Sequence, residues 1–356
     1  MKNSLRIVLF AFVAFTISTA GKASPRVKLF TADDEHFKYT GRVDFADPQK
    51  PKFWSPGVYI TTRFKGPTCE LLINDEEMYG KTHNYIQVVI DGKALRIQTT
   101  GKTNSIQIGK GLSKGGHTLL ICKDTESGMG YLEFVGLRCE KLLMPDEPKR
   151  TIEYIGDSIT AGAGVDASTV PCGKGQWYDQ HNAYLTYGAR TSRALNAKWQ
   201  LTAVAGIGLV HSCCEMNILL PQVYDKVYLR SDSIKYNFKQ YQPDVVTICL
   251  GQNDGRQDSV KFCSEYVRLI DTIRSKYANA DIVCLSSPMA NQQLTTVLQR
   301  YLTGVVQAVN KRGDSKVSKF FFSRSFNSGC DNHPDANEHE IIAEELTGYI
   351  KKLKHW

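Results

Sequence analysis

The 356-residue chain has no apolar run long enough to cross a bilayer. The longest, residues 7–17 (IVLFAFVAFTI), falls short of the roughly 20 residues a spanning helix needs. There is no dense Lys/Arg tract interleaved with aromatics, which argues against a nucleic-acid partner. No CxxC pair and no Cys/His cluster at zinc-ligand spacing occurs, so no structural metal is expected. Internal repeats and low-complexity stretches are also missing, which excludes solenoids and disordered tails. What remains is an ordinary globular mixture, 42% hydrophobic and 22% charged, long enough for two domains.

The apolar run follows Lys2 and Arg6 and precedes the small residues STAGKAS. This is the pattern of a cleavable export signal over residues 1–23, and it predicts a secreted or periplasmic protein. Removing it takes away three cations and no acid, which lowers the formal net charge from +8 to +5. Export would permit disulfides among the ten cysteines. Cys249 and Cys284 lie in apolar strand-like runs and are expected to be buried thiols. Cys172, Cys213, Cys214 and Cys330 flank the segments that carry chemistry, and their spacing leaves the pairing open.

The pattern changes at residues 144–150 (MPDEPKR), which form a candidate linker. Before it, over residues 26–143, short runs such as VYITTRF, CELLIND, YIQVVIDG and HTLLICK alternate with turn residues. Their period of two predicts an antiparallel β-sandwich or jelly roll. After it, over residues 151–356, strands (TIEYIG, WQLTAVAG, DVVTICLG, DIVCLS, KFFF) alternate with helices over 182–195, 259–277 and 291–312, and a terminal helix. That alternation predicts a three-layer α/β/α domain with a mainly parallel sheet. Ligands of such sheets sit beyond the carboxyl ends of the strands.

Four polar stretches lie where that rule points. Ser158, in Ile155-Gly156-Asp157-Ser158, follows the first strand directly and is either an exposed nucleophile or a helix N-cap. Gly206 and Gly208 end the second strand, and either could let a backbone N–H approach a ligand. Asn253, in Gly251-Gln252-Asn253-Asp254, ends the most hydrophobic strand and can donate to a developing oxyanion, or simply build a turn. His333, in Cys330-Asp331-Asn332-His333, precedes the last helix and can act as general base, with Asp331 available to orient it. Asp335 and Glu338 fit a capping box for that helix.

Taken together, GDS, then Gly, then GxND, then Asp/His before a terminal helix resembles the SGNH, or GDSL-type, hydrolase superfamily. The stretches Tyr39-Thr40-Gly41-Arg42-Val43-Asp44-Phe45 and Phe53-Trp54-Ser55-Pro56-Gly57 resemble the start of the β-domain of carbohydrate esterase family two. The resemblance implies removal of acetyl groups from plant polysaccharides of the xylan and glucomannan type. It implies Ser158 as nucleophile, His333 as base, and the Ser158, Gly206 and Asn253 N–H groups as oxyanion hole. It implies no cofactor. Asp331 stands two residues before His333, whereas many SGNH enzymes place the Asp three before. Family two includes members with a Ser–His pair alone, so both a triad and a dyad remain open. Trp177 is a candidate sugar platform or a packing residue. A monomer acting on an acetylated polysaccharide or oligosaccharide is expected. The alternatives are a lipase- or thioesterase-type enzyme on the same fold, transfer of acetyl to another sugar, and a carbohydrate-binding protein without activity.

Overall fold

The computed structural model describes residues 27–230 and 234–356. The expected export signal lies outside the described residues. No described helix is long and apolar enough to cross a membrane.

The first half is two antiparallel sheets packed face to face. One contains β1 (Lys28–Thr31), β3 (Lys52–Phe53), β5 (Thr68–Asp75), β8 (Thr103–Lys110) and β10 (Leu132–Cys139). The other contains β2 (Lys38–Thr40), β4 (Tyr59–Lys65), β6 (Tyr85–Ile90), β7 (Lys93–Gln98), β9 (Gly116–Lys123) and β11 (Lys141–Leu143). Side chains alternate across each strand, so β5 buries Cys69, Leu71, Ile73 and Asp75 and leaves their neighbours part-exposed. Phe64, Leu71, Ile86, Phe134 and Leu137 fill the space between the sheets.

The second half is built on a parallel sheet of β12 (Arg150–Gly156), β13 (Ala197–Ala203), β14 (Val245–Cys249), β15 (Asp281–Leu285) and β16 (Val317–Phe320). The spatial order is β13-β12-β14-β15-β16. Every residue of β14 is buried, as a central strand covered on both faces requires. Val246, Ile248, Ile282 and Cys284 face helices α4 (Ser259–Lys276) and α5 (Gln292–Lys311). Val245, Cys249, Val283 and Leu285 face α2 (Tyr187–Ala194) and α6 (Ala336–Lys354). Cys249 and Cys284 are buried free thiols, as their strand positions predict.

Local sequence explains most helix limits. The Asp335 carboxylate accepts from Glu338 N–H at 2.7 Å and the Glu338 carboxylate returns the bond to Asp335 N–H, so the expected capping box forms. The helix expected over 182–195 is divided. Asn182 caps a single turn, Ala183–Leu185, and extended Thr186 then caps a fresh start at Tyr187. Side-chain caps that satisfy N–H groups twice within five residues favour two short helices over one. In α6, Ile342, Leu346 and Ile350 are buried, whereas Ile341 is 38% exposed.

The two halves meet across a buried seam. Tyr59 of β4 stacks on Trp199 of β13 with ring centroids 4.0 Å apart, and Trp199 Nε1 donates to Gly57 O. Arg42 is fully buried there. Its guanidinium donates to Tyr224 O and Lys226 O at 2.7 Å each, pairs with Glu153 at 3.4 Å and lies over the Tyr236 ring. Removing one partner of a buried ion pair leaves an uncompensated charge. Arg42→Met is therefore expected to cost about 3–5 kcal/mol in urea unfolding, and Arg42→Met with Glu153→Gln distinctly less than the two single losses added. A loss below about 1 kcal/mol for Arg42→Met would contradict this account.

Candidate active site

The order β13-β12-β14 makes the end of β12 a topological switch point, where connections leave to opposite sides and open a crevice. Ser158 stands there, in the first turn of the four-residue helix α1 (Ser158–Ala161). The cap of that turn is Asp157, whose carboxylate accepts from Ile159 N–H at 3.1 Å. Ser158 is thus not the N-cap, and its hydroxyl is free for other use. Asp157 is buried, and desolvation with help from Asp254 pushes its pKa up to about 7.

His333 reaches Ser158 from a loop 175 residues further on. Its Nε2 lies 2.8 Å from Ser158 Oγ. The loop is held at several points. His333 N–H donates to Cys330 O and Gly329 N–H donates to His333 O. Cys330 is disulfide-bonded to Cys172 and donates its N–H to Gly164 O. Gly164, at φ +69°, permits this approach, since a Cβ there would stand 2.4 Å from Cys330 O.

The Asp331 carboxylate is not brought to the imidazole. Asp331 is exposed, sits in the left-handed region at φ 52°, and makes no hydrogen bond to His333, whose Nδ1 is buried without a partner of good geometry. The two-residue spacing places Asp331 in the tight turn Cys330–Asn332 that leads into His333. Burial lowers the His333 pKa below the ordinary 6.5, while the Asp331 and Cys330 carbonyls pull it upward.

Gly206 and Asn253 line the same cavity as Ser158 and His333. Among the described residues, neither the Ser158 nor the Gly206 N–H is taken by another group. Gly208 is otherwise engaged. Its N–H donates to Ser212 Oγ, and a Cβ on it would collide with His211 O at 1.8 Å. Of the two glycines, Gly206 is the one with a donor to offer. Asn253 Nδ2 donates one hydrogen to Ile207 O at 2.9 Å, which fixes the amide and leaves its second hydrogen available. The neighbouring Asp254 is buried and takes the Leu209, Val210 and His211 N–H groups. The Asn-Asp-Gly turn therefore does two jobs with adjacent side chains.

The cavity has a volume of about 550 Å³ and is walled by both halves of the chain. Glu126, Gly128 and Met129, in the loop between β9 and β10, form one side, with Arg230 3.5 Å from Glu126. The buried Lys123 ammonium holds that loop by donating to Thr125 O and Glu126 O. Trp177 lies at the rim, 52% exposed, with its ring edge-on to buried His181. The β-domain also steadies this rim. His83 Nε2 lies 2.6 Å from the Asp179 carboxylate, and Arg96 donates to Asp179 O and His181 O. None of these cross-domain roles carries a local sequence signal. Among the described residues no cluster of three or more His, Cys, Asp or Glu could hold a metal.

Comparison with known proteins finds family matches in both halves of the chain. The model of the Carbohydrate esterase 2 N-terminal family matches residues 39–146, and that of the GDSL-like Lipase/Acylhydrolase family matches residues 154–318. The Cellulase/esterase CelE of Acetivibrio thermocellus is 33% identical over 341 residues, which covers 91% of this chain but only 40% of that protein. An acetylxylan esterase / glucomannan deacetylase of Cellvibrio japonicus is 26% identical, covering 84% of this chain and 85% of its own. The structure of a family two carbohydrate esterase from Clostridium thermocellum, in complex with cellohexaose, superposes with a TM-score of 0.82 at 32% identity, covering 90% of this chain and 99% of that one. On both halves and across nearly the whole of that relative, the chain belongs to family two of the carbohydrate esterases.

Proposed function

We propose that the chain is an exported O-acetylesterase that removes acetyl groups from xylan- or glucomannan-type polysaccharide. The observation that carries this reading is the 2.8 Å contact between Ser158 Oγ and His333 Nε2, at a strand switch point and in one cavity with three N–H donors. The names of the Cellvibrio relatives support acetylated xylan and glucomannan as substrates, and the cellohexaose complex supports a glycan occupant.

His333 takes the Ser158 proton as the oxygen attacks the acetyl carbonyl. The Ser158 and Gly206 N–H groups and the free Asn253 hydrogen stabilise the oxyanion. As the tetrahedral adduct collapses, the C–O bond to the sugar breaks and His333 protonates the departing oxygen. Water, deprotonated by His333, then attacks the acetyl-enzyme, acetate leaves and Ser158 recovers its proton. Trp177 offers its exposed ring to a sugar face beside this centre.

Ser158→Ala should lower acetate release by roughly 10⁴–10⁶-fold in kcat. Asn253→Ala should lose about 10²–10³ in kcat with KM little changed. A loss under roughly tenfold would make Asn253 a turn residue only.

Asp331→Asn discriminates a dyad from a triad. Loss of a true triad carboxylate costs about 10⁴ in kcat. Because this carboxylate is exposed and unbonded to His333, the expected change is within about threefold. His333 works as a base only when neutral, and its lowered pKa keeps it neutral further into the acid range. The acid limb of kcat/KM should accordingly fall below pH 6.5, and a limb centred above about 7 would contradict the assignment. Trp177→Ala should raise KM several-fold on acetylated polymer and leave hydrolysis of 4-nitrophenyl acetate nearly unchanged, a gap of about 1 kcal/mol.

A further inference from the structure

After Gly206 the chain makes a compact excursion over residues 207–219 before its next helical turn. Two anchors hold it. On one limb, Asp254 collects three successive N–H groups, and Ser212 Oγ accepts from Gly208 N–H while donating to Ile218 O. On the other limb, the adjacent residues Cys213 and Cys214 are joined by a disulfide. Both line the cavity together with Ser158 and Asn253.

This second anchor bears directly on Gly206. Cys213 N–H donates to Gly206 O at 2.9 Å. Cys213 Sγ covers the Cα of Gly206 so closely that a methyl group there would stand 3.1 Å from the sulfur. Gly206 itself has φ +86° and no side chain, so it has no steric reason to keep one orientation. Cys214 and Glu215 both lie in the left-handed region at φ 60°. Non-glycine residues rarely hold that conformation, and an unrestrained surface loop would readily relax. A covalent ring between neighbouring residues removes that freedom.

The geometry points to the Cys213–Cys214 disulfide as a positioning element for the oxyanion hole, one that keeps the Gly206 N–H aimed at the reacting carbonyl. This rests on the assignment of Gly206 as an oxyanion donor above. The disulfide touches no reacting atom in this role. It acts through the Gly206 carbonyl and the sulfur packed on the Gly206 Cα.

The test is the full chain carrying Cys213→Ser and Cys214→Ser together, which keeps both backbone N–H groups and removes the link together with the sulfur packed on Gly206. Turnover of 4-nitrophenyl acetate should fall roughly tenfold in kcat, less than the loss of a whole donor, with KM within about twofold and an unchanged melting temperature. Mass spectrometry of the alkylated parent should find residues 213 and 214 unmodified. An unchanged kcat overturns the proposal, as does a fall in kcat accompanied by a lower melting temperature, or a fully active parent with both thiols alkylated. Ser158→Ala is run alongside. A parent that turns over while Ser158→Ala does not leaves the esterase reading intact whatever the serine pair does, whereas an inactive parent sinks both.

Discussion

Arg42 and Glu153 are buried where the two halves of the chain meet, and the site depends on that meeting being rigid. A guanidinium moved out of water without compensation costs several kcal/mol. Here compensation comes from one carboxylate, two backbone carbonyls, a threonine hydroxyl and an aromatic face. Glu153 lies on β12, three residues before Gly156 and five before Ser158, and also accepts from Gln200 and Thr202 of β13. The β-sandwich is therefore fastened to the same two strands whose far ends carry Ser158 and Gly206. Any slackening at the seam would move the wall formed by Glu126, Gly128 and Met129 relative to Ser158.

The sandwich reaches the site at two further places. Lys123 turns its ammonium into its own loop, and Arg96 and His83 extend to the segment that carries Trp177. The Lys123 and Arg96 bonds end on backbone carbonyls and so fix the chain path, whereas His83 pairs with the Asp179 carboxylate. Asp124 shows the strain in this arrangement, since desolvation pushes its pKa up to about 7 even with Arg96 3.7 Å away. The cavity is a property of the pair of domains, and neither half alone would enclose it.

Much of this was legible in the sequence, for a physical reason. Period-two burial in β5 and the 3.6-residue stripe of Phe262, Tyr266, Leu269, Ile270 and Ile273 are local patterns that survive folding unchanged. Short edge strands such as β2, β3 and β11 are not legible, because two or three residues carry no periodicity and form only where a partner strand already exists. Ser158, Gly206, Asn253 and His333 stood out because each follows or precedes an element at a fixed end of the sheet. The contributions of Lys123, Arg96, Glu126 and the disulfide partners could not stand out, because each depends on contacts with distant stretches or on loop shape. Asp331 marks the boundary between the two cases. Its spacing from His333 is local, yet which of its groups faces the imidazole is decided by a left-handed turn that the residue types alone do not dictate.

The absence of a carboxylate on His333 Nδ1 has a consequence for the kind of bond such a site can cleave. A buried carboxylate stabilises the imidazolium that forms when serine gives up its proton, and that help matters most when the leaving group is poor. Backbone carbonyls carry only partial charge and offer less. Burial is what lowers the His333 pKa, so the imidazole here is a weaker base held in a drier place. An alkoxide leaving from an ester is much easier to expel than an amine from an amide, and in the proposed mechanism the proton it needs is already on the histidine. Stabilisation then falls mainly on the N–H donors at the oxyanion, which act without a change in protonation. Under the proposed mechanism, the alignment of Gly206 and Asn253 weighs more than the basicity of His333. This is consistent with a loop after Gly206 that is anchored from both ends, by Asp254 on one side and a covalent ring on the other.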